Sequence, residues 1–323
     1  MMAGNAQYKA FPTKPSPPMT LLTASLYLLC LAFLLGSALF VLSRDPRSRL
    51  NRLYALLALS LLGWAATLLA FAGQAAPAPL LLLGRLNFAA VPVAATAALL
   101  FVRELAGRPL RSQGWLWAET LALALASLLT GGVDRAERVV QGQHLTAYGP
   151  LFPLYLAHVV LLLTLAVLTA LRPPPTALPQ ARRSLRLVGW GMLAAALVGL
   201  VTNALLPYSF GDFRWINAGP LATLLFLGSV GYAVFAYHLF SLRIIVRRAL
   251  VLAGLVTLAL ELYQLAVTFL SHLLPFGDKE ARGYAAATVA LAVNAFTQQP
   301  VRQWLERLLD RALGAPHGQR RDR

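Results

Sequence analysis

A polytopic, all-α bundle of transmembrane helices is the fold class this chain predicts, and three observations carry the prediction. Of its 323 residues, 58% are apolar and only 12% charged, with a mean hydropathy of +0.65, whereas in a soluble domain about a quarter of residues are charged. The apolar residues are gathered in long runs of Leu, Ala and Val, several reaching the roughly 20 residues that cross a 30 Å hydrocarbon layer as a helix. Short clusters of arginine separate the runs. No alternating barrel pattern lies between them, and only helices or closed barrels satisfy their backbone polar groups inside a bilayer.

About nine candidate spans follow one another: Leu21 to Leu42, Leu53 to Gly73, Leu80 to Val102, Trp115 to Leu129, Leu151 to Leu171, Leu187 to Leu206, Ala218 to Phe240, Leu250 to Leu270, and Tyr284 to Phe296. Arg44, Arg47, Arg49 and Arg52 separate the first two, and Arg103, Arg108 and Arg111 the third from the fourth. Arg172, Arg182, Arg183 and Arg186 follow the fifth, Arg243, Arg247 and Arg248 the seventh, and Arg302, Arg307, Arg311, Arg320, Arg321 and Arg323 the ninth. All these clusters fall on one side if every span crosses. The positive-inside rule makes that side cytoplasmic, so the N-terminus is expected outside and the C-terminus inside, in a multi-pass protein of the bacterial inner membrane. Without the short ninth span the arginine-rich tail would lie outside, against the bias of every other loop.

The net charge of +16 is therefore a topology signal, and nucleic acid is not expected as a partner; the lipid bilayer is. The first span is longer than a signal-peptide core, and its stronger basic cluster follows rather than precedes it, so it reads as retained. Cys30 is the only cysteine, which rules out an intrachain disulfide or a thiol metal cluster and leaves a packing role. The five histidines stand on different loops and span ends, with no metal spacing among them. No nucleotide-binding glycine motif, zinc-protease motif or hydrolase triad is visible. No cofactor, metal or catalytic residue is expected.

Residues 1–20 form a proline-rich tail, expected to be irregular, and 21–240 a seven-helix region. Two further spans fill 241–298, residues 299–313 an amphipathic cytoplasmic helix, and 314–323 a basic, disordered tail. In the amphipathic segment Trp304, Leu305, Leu308 and Leu309 repeat at helical spacing, the pattern of an interfacial or signal-output helix. The longest outer connector, Gly131 to Pro150, mixes Asp134, Arg135, Glu137, Arg138, His144 and Tyr148. With nothing pointing to a particular ligand, it reads as a solvated connector in preference to a ligand entrance.

Charges inside spans are costly and tend to face the bundle interior. Arg85 lies about 8 Å into its span and Glu261 about 20 Å from the opposite side at 1.5 Å per residue, so the two share a depth in the outer half. An ion pair, or ligand recognition beside Asn87 and Gln264, is the candidate site. Glu119, near the end of its span, is expected to have no special role.

Seven segments then follow an order known elsewhere. NRLYALLALSLLGW from Asn51, GRLNFAAVP from Gly84 with LFVRELAGR from Leu100, YGPLFPLY from Tyr148 and NALLPY from Asn203 resemble the seven-helix N-terminal membrane region of bacterial sensor histidine kinases. YAVFAYHLFSLRIIVRRALV from Tyr232 is similar to the junction that ends that region, and QPVRQWLERLLDRAL from Gln299 to the helix preceding the cytoplasmic output module. The resemblance implies a bundle that receives a signal in or near the membrane and passes it to a kinase. It departs in lacking a phospho-accepting histidine box and an ATP-binding lobe after Arg311, since His317 stands in a Gly, Pro and Arg tail. The leading expectation is a non-catalytic sensor module of a two-component system. It would regulate a separate histidine kinase or other cytoplasmic signalling protein, with a homodimer as a further candidate assembly. A small-solute transporter using the intramembrane charges is the alternative.

Overall fold

The structure is a computed structural model that describes residues 21–71, 77–110, 112–140 and 143–237, with shorter helical pieces at 254–255, 258, 261–262, 265, 299–304 and 307. It divides into two compact units, Met1–Leu239 and Phe240–Arg323.

The first unit is mostly helical. Helix α1 (Leu21–Arg44) turns at Asp45 into α2 (Arg49–Phe71), which runs back beside it. The turn is built by the Asp45 carboxylate, which accepts from the amides of Arg47 and Ser48 at 3.0 and 3.1 Å. The Asn51 side-chain amide crosses the same turn to the Val41 carbonyl at 3.2 Å. Short polar side chains thus satisfy backbone groups that helix ends leave open. Helix α3 (Pro77–Leu105) packs most extensively on α2, then on α4 (Gly114–Leu129) and α5 (Phe152–Leu171). Pro92 lies inside α3 and, having no N–H, cannot donate to the carbonyl of Phe88 one turn earlier.

Helix α6 (Pro179–Leu200) continues through a π turn (Val201–Leu205) into the short α7 (Leu206–Phe210), and α8 (Ala218–Tyr237) returns along α6. Five of these rods are long and apolar enough to cross a membrane, counting Pro179–Phe210 as one, and two shorter apolar stretches lie at Gly114–Leu129 and Ala218–Val230. Leu121, Leu125, Leu161, Leu165, Trp190 and Leu197 are exposed on the outer faces, a burden in water and the natural surface of a bundle set in hydrocarbon. Inside, Tyr27, Trp64, Leu68, Phe71 and Leu80 form a core cluster joining α1, α2 and α3. The Cys30 thiol is buried 3.2 Å from the Thr223 hydroxyl, joining α1 to α8 in the packing role expected of it.

The connector from Gly131 to Pro150 departs from the all-α expectation. It folds as an antiparallel hairpin of β1 (Asp134–Val140) and β2 (Gln143–Tyr148). Its base is closed by the Gly149 amide donating to the Val133 carbonyl at 2.8 Å and the Leu151 amide to that of Gly132 at 2.7 Å. A β-carbon at Gly149 would collide with the Gly131 and Gly132 carbonyl oxygens, so this closure needs a residue without one. β1 packs on α3, which makes the hairpin part of the bundle rather than a solvated loop.

In the second unit Glu261 is helical and half-buried, and 299–304 is helical with Trp304 exposed. Gln264, Leu305, Leu308 and Leu309 lie outside the described residues, as do most of the expected eighth and ninth spans.

Candidate functional site

Asp134 and Glu137 are three apart on β1, a spacing that in a regular strand sends side chains to opposite faces. Here they share one. The register runs Asp134 to Tyr148, then Ala136 to Ala147 and Glu137 to Thr146, with an irregularity between Asp134 and Ala136. One extra residue on β1, the mark of a β-bulge, lets the three-residue step on β1 match the two-residue step between Thr146 and Tyr148. Both carboxyls accordingly point at the bundle, with 0% and 6% of their surfaces exposed, while Arg135 and Arg138 face outward.

The surface they meet is Gly84 of α3. A β-carbon there would lie against Asp134 Oδ2 and within 2.7 Å of Glu137 Oε1, so the close approach of hairpin to helix depends on the glycine. Glu137 Oε1 accepts a hydrogen bond from the Thr146 hydroxyl at 2.8 Å. Glu137 Oε2 is buried without a hydrogen-bond partner, as is Arg85 Nε, and the Asp134 oxygens have nothing beyond the nearby Ala136 amide. Burial raises the Asp134 carboxyl from 3.8 to about 7, the positive charge of Arg85 and the Ala136 amide offsetting only part of it. Burial and then the neighbouring Asp134 charge raise Glu137 from 4.5 to about 9, against the lowering by Thr146. Tyr148 is pushed up by burial and by the same two carboxyls.

Below the hairpin lies a cavity of about 170 Å³ walled by α2, α3, α5, α6, the π turn and α8. Its roof is Glu137, Thr146 and Tyr148, and its body is apolar, with Leu57, Leu61, Trp64, Val91, Ala95 and Phe226 among the walls. A cluster of rings stands beside the roof. Phe88 meets Tyr148, Phe152 and Tyr155 edge-on at 5.7 to 6.2 Å, and Tyr148 lies 4.2 Å from Phe152. Opposite, Asn203 reaches the cavity from the π turn, its amide donating to Thr202 at 2.8 Å. Single π turns inside α-helices recur at functional sites, because the extra residue loosens the ladder locally.

Of the side chains singled out by sequence, Asn87 lines this cavity and is fully engaged in packing, its amide donating to the Trp64 carbonyl at 3.1 Å and the Thr67 hydroxyl at 2.8 Å. Arg85 is half-buried, and its charge acts on Asp134 of the hairpin. Glu261 belongs to the other compact unit. Glu119, expected to be idle, has its Oε1 3.1 Å from Nδ1 of the buried His158, linking α4 to α5.

Sequence reasoning missed the two hairpin carboxyls as a site, along with Thr146 and the ring cluster. A signal was there: Leu145, Ala147 and the Val139 and Val140 pair alternate with polar residues around Gln141 and Gly142, the composition of a hairpin. Among the described residues, no group of three metal-ligating side chains occurs.

Residues 26–243 match the family model described as the N-terminal 7TM region of histidine kinase. No curated protein and no solved structure matches the chain.

Proposed function

Because the chain belongs to the family of N-terminal seven-transmembrane regions of histidine kinases, a sensory rather than catalytic part, we propose that it receives its signal in the cavity under the hairpin and regulates a histidine kinase carried on a separate chain. The observation that supports this reading is the roof: a carboxyl oxygen of Glu137 buried without a partner above an apolar cavity. A buried polar group left unpaired costs about 1–3 kcal/mol, which a packing role would not repay and a bound signal would.

The cavity is walled by the elements that a signal would have to move. Occupation from α2, α3 and α5 presses on α6 at its π turn and on α8, the last described helix of the unit, a two-state change in helix packing of the kind receptors use. Nine spans, an outer hairpin and a cytoplasmic segment at 299–313 complete the proposal, resting on the arginine distribution. In intact cells, an impermeant thiol reagent is expected to label Arg135→Cys and to spare Arg108→Cys, both in a Cys30→Ser background. The reverse pattern overturns the orientation.

Ala95 lines the cavity, so Ala95→Phe fills it without touching the roof. Purification in mild detergent is expected to recover a histidine kinase with the chain, and Ala95→Phe to change its autophosphorylation rate severalfold. Failure to recover a kinase removes the partner, and an unchanged rate removes the cavity as the signal site.

A further inference from the structure

We propose that the cavity takes a small hydrophobic amine in its ammonium form, with the charge held by Glu137 and the carbon skeleton among Trp64, Phe88 and Phe152. The proposal deepens, and rests on, the reading of this cavity as the signal site.

Without such a ligand one oxygen of Glu137 stays buried and unpaired at the roof. Two carboxyls, Asp134 and Glu137, face one described cation, Arg85, whose charge acts on Asp134; the influences on Glu137 are burial, Asp134 and Thr146. Glu137 is the one ionisable carboxyl among the described residues lining the cavity, and no Lys, Arg or His lines it with Glu137. An anion would find no base on the lining to offset its charge. A metal ion would find no third His, Cys, Asp or Glu beside the two carboxyls among the described residues. An ammonium donates to Oε2, the oxygen that Thr146 leaves unpaired, in the charge-assisted geometry that makes the strongest hydrogen bonds.

The surroundings suit the rest of such a molecule. Phe88, Tyr148, Phe152 and Tyr155 crowd together beside the carboxylate, and aromatic faces attract cations within about 6 Å of the ring centre. A cavity of about 170 Å³ is slightly larger than the engineered cavity of about 150 Å³ that holds benzene in another protein. One ring with a short aminoalkyl arm is therefore the right size.

Binding is also coupled to a proton. An ammonium requires ionised Glu137, whose carboxyl is raised to about 9, so near neutrality the amine displaces a proton from it. The titratable and charged groups around Glu137 are Asp134 on its own strand with Arg85 from α3 acting on Asp134, Tyr148 from β2 and, through the ring cluster, Tyr155 from α5 and Tyr208 from α7. Of these, Asp134, raised to about 7, titrates nearest to neutral pH.

The test is calorimetric titration of the full chain in lipid nanodiscs, with empty nanodiscs subtracted, against 2-phenylethylamine, 2-phenylethanol and 3-phenylpropionate. The amine is expected to bind at least tenfold more tightly than the alcohol, the carboxylate not to bind, and close to one proton to be released at pH 7, read from two buffers of different ionisation enthalpy. Glu137→Gln is expected to reduce the amine to the affinity of the alcohol. Equal binding of amine and alcohol to the unaltered chain, which needs no variant to fold, overturns charge recognition and leaves an apolar signal site standing. If no probe binds and Ala95→Phe leaves the kinase unchanged, the signal-site reading falls with it.

Discussion

Between α3 and α4 the Thr96 and Thr120 hydroxyls meet at 2.6 Å, and Thr120 passes its own proton to the Leu116 carbonyl at 2.7 Å. Under the hairpin, Glu137 Oε2 and Arg85 Nε are just as buried and have no hydrogen-bond partner, and the Asp134 carboxyl has only the nearby Ala136 amide. The first arrangement is closed. Every proton in it has an acceptor, so it acts as packing glue between helices. The second is open, and of its unmet groups Glu137 lines the cavity. The contrast separates two meanings of a buried polar residue in a membrane bundle: where partners come from the fold the residue holds helices together, and where they are missing it marks a place for something else.

The largest expected break in this contrast comes from pH. Glu137 is raised from 4.5 to about 9 and Asp134 from 3.8 to about 7, so between those limits the docked hairpin keeps protons that a lifted one releases. Docking is then strongest below the ordinary carboxyl values. It weakens as pH rises above those values, with both carboxyls contributing up to about 7 and Glu137 alone on to about 9, by up to about 1.4 kcal/mol per pH unit for each. Hydrogen exchange of the amides in Asp134–Tyr148, referenced to α3, should show protection falling with pH, and Glu137→Gln should remove the part between 7 and 9. Protection that does not change between pH 5 and 9 would mean that the carboxyls are not buried as described.

A smaller effect is expected from Gly84→Ala. The new β-carbon must push back Asp134 and Glu137, an overpacking cost of about 1–3 kcal/mol, visible as a lower melting temperature in detergent and a hairpin more open to protease. A stability equal to that of the parent chain would remove Gly84 as the docking surface. The smallest is Thr120→Val, which takes the acceptor from Thr96. Its cost should be about 0.6 kcal/mol and not above about 1.7, the range for hydrogen bonds between membrane helices. Hairpin protection should not move, and if it did the closed and open regions would not be independent.

Much of the helical frame was legible before any coordinates. Leu151 to Leu171 corresponds to α5 within a residue at its start, and Trp115 to Leu129 to α4, because runs of Leu, Ala and Val between arginine clusters leave the chain few alternatives. The sixth span was read as one helix, and its π turn at Val201–Leu205 was not seen, since a single extra residue in a turn leaves the apolar run unchanged. The site was legible only in fragments. Arg85 was singled out for its depth and Asn87 as a polar neighbour, and Arg85 stands near the hairpin while Asn87 lines the cavity. Asp134 and Glu137 were passed over as loop residues, because polar side chains in a connector ordinarily face water.

By itself the sequence determined that this is a multi-pass helical membrane region, through the length of its apolar runs, and which sensor family it belongs to, through segments in a set order. Only the tertiary structure decided that Asp134 and Glu137 lie together. Strand periodicity puts residues three apart on opposite faces, and a bulge that reverses this leaves no trace in composition. Whether a carboxyl is solvated or buried depends on what packs over it, and here that is Gly84, some fifty positions away along the chain and in contact only once α3 and the hairpin have met.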